Sequence, residues 1–164
     1  VEGSILDLCT HDIEFLCWWG GRPEAVQATA ATGHPGGGFA DTVSINLTFK
    51  RGMGTVLSSW ASLEPVMNIG VSGTRGSAVL SAREGGAIAL RVALEGKEAY
   101  EEAPEDQMGV MVAEQRAFLE AVQAGRKASP GVAEGLLALQ VQEAAQRSWR
   151  DGGRVRLAPA AATV

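Results

Sequence analysis

The sequence predicts an α+β fold: a mainly antiparallel, open-faced sheet of about six strands with helices on one face. Three observations carry this. Apolar residues recur at a helical period only at the start of the chain and again after Gly109. Between them they alternate with a period of two. The connections in that middle stretch are short and glycine-rich, which suits neighbouring antiparallel strands.

The elements follow in order. Ile5, Leu8, Cys9, Phe15, Leu16 and Trp19 recur near a helical period, so residues 4–19 read as a helix with Ser4 as its N-cap. Gly20-Gly21 and then Pro23 stop it. Residues 24–32 read as a strand, and Gly33-His34-Pro35-Gly36-Gly37-Gly38 as a loop. Residues 41–49 put Val43, Ile45, Leu47 and Phe49 on one face and Thr42, Ser44, Asn46 and Thr48 on the other, the pattern of a half-buried strand. A turn at 50–54 leads to a returning strand at 55–62. Further strands are expected at 66–72, 77–83 and 87–95, with a weak one near Ala99-Tyr100. The acid-rich stretch from Lys97 to Asp106 reads as a solvated edge or loop. Val112, Phe118, Leu119 and Val122 mark a helix that stops at Gly125. Pro130 opens another, with Leu136, Leu137, Leu139, Val141, Ala144, Ala145 and Trp149 as its apolar set. Arg154 to Leu157 forms a last short strand. The expected organisation is one domain over 1–157 and a loose tail over 158–164.

Composition bounds the partners. Of 164 residues, 46% are hydrophobic and 20% charged, a globular balance that excludes a disordered linker. The net charge of -5 argues against nucleic acid and against an anionic membrane surface. No segment approaches the ~20 apolar residues of a membrane span, and no signal peptide is visible, so a cytoplasmic setting is expected. Cys9 and Cys17 lie eight residues apart on one helix, about 12 Å along its axis, too far for a disulfide. They read as buried small hydrophobes in a reducing compartment.

The chemistry available is narrow. Asp7 and His11 are four apart on the predicted helix and share a face, with Glu14 on the same stripe. A carboxylate beside an imidazole holds its tautomer and favours its protonated form, which is how an acid/base histidine is built. The same spacing also suits an ordinary helix-surface pair. A metal reading of Asp7, His11 and Glu14 lacks a second histidine and any recognised ligand spacing. His34 reads as a loop residue. The glycines at 52, 54, 70, 73 and 76 sit between strands, and none opens a helix after a strand as a dinucleotide fingerprint requires. No cofactor is therefore expected to bind this chain by itself.

Gly3-Ser4-Ile5-Leu6-Asp7-Leu8-Cys9-Thr10-His11-Asp12-Ile13-Glu14 resembles the helix that opens the C-terminal domain of the Gfo/Idh/MocA oxidoreductases, the glucose–fructose oxidoreductase and inositol dehydrogenase relatives. Asp41 to Phe49 resembles the family's first long strand, and Gly73-Thr74-Arg75-Gly76-Ser77 its Gly-Thr-Lys/Arg-Gly-Ser turn. Phe118 to Gly125 and Gly135 to Ser148 resemble its closing helices, and Gly153-Arg154-Val155 its last strand. The resemblance spans residues 3–157. It implies a parent enzyme whose N-terminal Rossmann domain, absent from this chain, binds NAD or NADP. It also implies His11 as acid/base on a substrate hydroxyl or carbonyl and Asp7 as its orienting carboxylate. Glu14, a substrate-binding candidate, stands where the family has Asp. Cys9 stands where glycine is frequent and can crowd the site. The family's catalytic lysine, in a Glu-Lys-Pro of the Rossmann half, has no counterpart at Lys50, Lys97 or Lys127.

The expected function is thus the substrate-binding and oligomerisation domain of an NAD(P)-dependent oxidoreductase. Its substrate would be a sugar, cyclitol or similar polyol, and the fragment alone would be inactive. The alternatives are a non-catalytic oligomerisation module and a free-standing small-molecule binding protein. The bare sheet face, with Thr42, Ser44, Asn46 and Thr48 and either Ser58 and Trp60 or Ser59 and Ala61, is expected to pair with a second copy as a homodimer or higher oligomer.

Overall fold

The alternation at Thr42–Phe49 decides the first sheet. Val43, Ile45, Leu47 and Phe49 all turn inward and are buried, while Asn46 stays exposed. The computed structural model describes residues 3–33, 38–63, 66–83, 87–95, 97–104 and 107–159. His34, the turn at 84–86 and most of the expected tail lie outside the described residues. Along the chain run α1 (Cys9–Gly20), β1 (Ala25–Ala31), β2 (Thr42–Phe49), β3 (Gly52–Ser59), β4 (Val66–Gly73), β5 (Gly76–Arg83), β6 (Ala87–Leu94), β7 (Lys97–Pro104), α2 (Gln107–Gln123), α3 (Val132–Asp151) and β8 (Val155–Arg156). The α+β class and the antiparallel pairing hold. Among the described residues the strands number eight and form two four-stranded sheets, not one sheet of six. The chain divides into two compact units, Val1–Ala61 with Ser129–Val164, and Ser62–Ala128.

The first unit contains a sheet in the order β3-β2-β1-β8. Ala28, Ile45 and Val56 form one inward row across three strands, and Ala30, Val43 and Ser58 the next. Because opposite residues share a face, this register fixes the outer rows as well: Gln27, Asn46 and Thr55, then Thr29, Ser44 and Leu57. The returning strand begins at Gly52, earlier than the pattern suggested, because Lys50 and Arg51 alone make the turn between the paired Phe49 and Gly52. The bare face therefore carries Thr55, Leu57 and Ser59, and Ser58 faces inward at 8% exposure.

Helices α1 and α3 cover the inner face, with α3 against β1 and α1 against both α3 and β3. Ile13, Leu47, Val26 and Val141 meet there with no more than 2% exposure each. Burying such a side chain is worth about 1.5–3 kcal/mol. The helix sits close to the sheet: a Cβ on Gly20 would lie 2.8 Å from the Phe49 ring. The buried side of α3 is small and polar as well as apolar, made of Ala138, Val141, Gln142, Ala144, Ala145 and Ser148. Leu136 and Leu139 of the expected apolar set face outward. A close crossing over β1 admits alanine and excludes leucine, which is why the small residues take the core positions. Beyond the two residues where β1 pairs with β8, the edge is satisfied by Ser148, whose Oγ accepts the Ala28 N–H at 2.8 Å.

The second unit is a meander in the order β4-β5-β6-β7, followed by α2. The acid-rich stretch is the edge strand β7 rather than a loop. Thr74 and Arg75 turn the β4–β5 hairpin between paired Gly73 and Gly76. One face lines up Ile69, Leu80 and Leu90, and beside them Val71, Ala78 and Val92. These side chains are only half-buried. Val112, Phe118, Leu119 and Val122 of α2, expected to pack, are about half exposed or more.

Candidate functional site at the start of helix α1

The segment before α1 is a run of turns from Ser4 to Leu8, and Asp7 lies in it rather than on the helix. Ser4 does not cap α1, and Leu8 takes the N-cap position without a side-chain bond. The Ser4 hydroxyl instead donates to the Ala40 carbonyl at 3.0 Å, and its backbone N–H reaches the same oxygen at 2.9 Å. Gly3 makes that approach possible. Its φ is +77°, and a Cβ would lie 2.7 Å from the Ala40 oxygen. Within the turns, the Cys9 N–H reaches the Ser4 carbonyl at 3.0 Å and the Thr10 N–H reaches the Asp7 carbonyl at 3.1 Å.

Ser4, Ile5 and Cys9 are buried beneath this segment, whereas Asp7 and His11 are exposed above it. Glu14, one turn further along α1, is half-buried. The candidates thus belong to one short stretch of surface at the helix start. The His11 charge acts on its neighbour Asp12, which the sequence reading left without a role. Burial raises the Asp12 pKa, and the positive charge of His11 pulls it partly back. The signal for Asp12 was its place directly after His11. Its half-burial, which no sequence pattern reveals, is what makes it matter.

Cys9 does not crowd the site. It points into the core, fully buried, and its thiol bonds the Ser58 hydroxyl. Burial pushes its pKa up to about 11, with Ser58 opposing and Asp12 adding to the rise. Cys17 behaves alike, raised by burial to about 11. Both thiols are free. Such thiols are not nucleophiles at neutral pH.

Among the described residues, no three of His, Cys, Asp and Glu gather as metal ligands. No helix of the described residues is long and apolar enough to cross a membrane. A nicotinamide dinucleotide needs a glycine-rich turn between a strand and a helix N-terminus to hold its phosphates. The candidate glycines lie elsewhere: Gly52 and Gly54 in β3, Gly70 and Gly73 in β4, and Gly76 in β5. The described residues do not fit that cofactor. An exposed imidazole among carboxylates is a group that can hold or move a proton.

Residues 1–79 match the family model of the GFO/IDH/MocA C-terminal domain. No curated protein sequence is significantly similar to the chain. Solved structures are. An oxidoreductase from Agrobacterium radiobacter, in complex with NAD+, L-tartaric acid and magnesium, superposes with a TM-score of 0.81 at 21% identity, over 93% of this chain and 48% of that one. Aldose-aldose oxidoreductase from Caulobacter crescentus, complexed with glycerol, gives 0.78 at 26% identity, over 95% and 48%. Levoglucosan dehydrogenase in complex with NADH and L-sorbose gives 0.78 at 20% identity, over 94% and 50%. The chain spans about half the length of these structures.

Proposed function

From a chain whose first 79 residues match the GFO/IDH/MocA C-terminal domain, we propose that residues 1–157 serve as the substrate domain of an NAD(P)-dependent oxidoreductase acting on a sugar, cyclitol or similar polyol. The observation that carries this reading is the exposed His11 above a buried, pinned turn, with Asp7 in the turns just before it and the half-buried Asp12 next to it in sequence. Oxidation of a carbinol removes a hydride from carbon and a proton from oxygen. The proton is this chain's share: His11 takes it from the substrate hydroxyl and returns it in the reverse direction. Asp7 orients the imidazole and Glu14 accepts a second substrate hydroxyl. The nicotinamide is presented by a dinucleotide-binding domain, since the described residues form no phosphate cradle. The partners named in the related structures, which include sorbose, glycerol and tartaric acid, support a polyhydroxylated substrate.

A second reading rests on the outer face of the first sheet. From Thr42 to Phe49 no ionisable side chain occurs, and the facing positions Gln27, Thr55 and Leu57 are uncharged too. This face supports a homodimer, and by itself it would also suit a purely structural oligomerisation module.

The two readings separate on one variant. In the full-length oxidoreductase, His11→Ala lowers kcat about 10²–10⁴-fold, the usual worth of a positioned acid/base group, and leaves the KM for the nicotinamide unchanged. Wild-type turnover in that variant on the protein's own substrate would leave only the structural reading.

A further inference from the structure

Helix α3 sends one polar side chain into the floor of the candidate site. Gln142 is 3% exposed and lies on the buried side of α3, among Val141, Ala144 and Ala145. An amide at such a place costs stability unless both its hydrogens find acceptors. They do. Nε2 donates to the Ile5 carbonyl at 2.9 Å and to the Thr10 hydroxyl at 2.6 Å. The Thr10 hydroxyl in turn donates to the Leu6 carbonyl at 3.0 Å. The amide can sit only this way round, because a flip would set its own oxygen against the Ile5 carbonyl.

The three bonded groups bracket the site. Ile5 and Leu6 precede Asp7 directly, and Thr10 precedes His11. Ile5 and Leu6 belong to the turns before α1, outside the helical ladder, and Thr10 lies in the first turn of α1 itself. The Ser4 bonds to Ala40 anchor the far end of the same segment. The stretch carrying Asp7 and His11 is therefore clamped from beneath at two points, and one clamp comes from a helix more than 130 residues away in sequence.

We propose that Gln142 is a positioning residue for the proton-transfer site: through Ile5, Thr10 and Leu6 it fixes the backbone that carries Asp7 and His11. The proposal rests on the reading of His11 given above. Its physical basis is that acid/base groups work only in a narrow geometry, and a displacement of about 1 Å can cost about 100-fold in rate.

Two variants remove the clamp with little change in volume. Gln142→Leu deletes both donors, and Thr10→Val deletes the acceptor and the link to Leu6. Thr10→Ser keeps the hydroxyl and serves as the rescue. Two measurements are made on each. Amide hydrogen exchange on this chain reports the segment directly: residues 5–11 exchange at least about 10-fold faster in Gln142→Leu and Thr10→Val, while β1, β2 and α3 keep their protection. Steady-state kinetics on the full-length oxidoreductase report the consequence: kcat falls about 10- to 100-fold in both variants, KM for the nicotinamide does not move, and Thr10→Ser restores turnover. Faster exchange across the whole first unit would make Gln142 merely structural and overturn the proposal. Local loosening with unchanged kcat, where His11→Ala is inactive, would overturn it and leave the His11 reading standing. Full activity of His11→Ala would remove both.

Discussion

At the scale of single residues, two thiols tie burial to pH. Cys9 and Cys17 are held protonated by the core to about pH 11, against an ordinary value of 9.0. The folded chain therefore keeps two protons that the unfolded chain releases on alkalinisation. A folded-state pKa above the unfolded one gives stability that is complete below the unfolded value and lost as pH rises through the folded one. The melting midpoint should hold up to about pH 9 and fall by several degrees towards pH 11. In Cys9→Ala/Cys17→Ala the midpoint starts lower, from lost packing, and this alkaline component disappears. Thermal unfolding followed by circular dichroism across that range measures both. An unchanged alkaline fall in the double variant would mean that the thiols are not buried as described. Asp12 is the opposite kind of residue, a carboxylate kept partly dry beside His11, where burial raises its pKa. Such an arrangement is tolerated at functional sites more often than elsewhere.

At the scale of elements, the outer face of β1, β2 and β3 matters most. Its side chains are bonded to one another rather than to charges: Thr55 donates to Asn46 at 2.8 Å, and Thr42 and Ser59 share a bond of 2.7 Å. Leu57 is 78% and Met53 74% exposed on the same strand. Such a face suits sheet-on-sheet packing, and a stable interface of this kind buries roughly 1,200–2,000 Å². We expect the chain to run as a dimer in size exclusion with light scattering at tens of micromolar. Asn46→Lys, at the centre of the face, should shift it to the 17.1 kDa monomer without unfolding it. A monomer in the unmodified chain, unchanged on concentration, would rule out association through this sheet.

At the scale of the whole molecule, stability is unevenly distributed. Among the described residues, every member of the buried apolar cluster belongs to the first unit. The second unit holds its sheet together by backbone pairing and half-buried side chains. Local opening should therefore be easier there. Amides of β4 to β7 should exchange at least about 10-fold faster than those of β1 and β2, by hydrogen exchange and mass spectrometry. Equal protection of both sheets would contradict this division. Among the described residues no phosphate cradle is formed. Titration of the 164-residue chain with NADH or NADPH should show no saturable micromolar binding by fluorescence or calorimetry.

What could be read from the sequence was what repeats locally. Period two set the buried face of β2, Val43 to Phe49, and the helical period set α1, α2 and α3, although α1 begins at Cys9 and the expected first turn from Ser4 is irregular. Residue type and spacing along one segment sufficed to name Asp7, His11 and Glu14 as candidates. Other features depended on residues far apart in sequence. The division into two sheets arises because β4 pairs only with β5, and no local pattern says which strands will meet. The inward side of α3 holds alanines, Gln142 and Ser148 rather than Leu136 and Leu139, because a close crossing over β1 selects for size before hydrophobicity. Ser4, a plausible cap by its position, gives its hydroxyl to Ala40 instead. Gln142 looks like one more polar residue on a helix, and only the fold brings its amide to Ile5 and Thr10. Periodicity is a property of neighbours along the chain. Hydrogen bonds and packing between distant segments exist only once the chain has closed on itself, so the tertiary structure alone decided them.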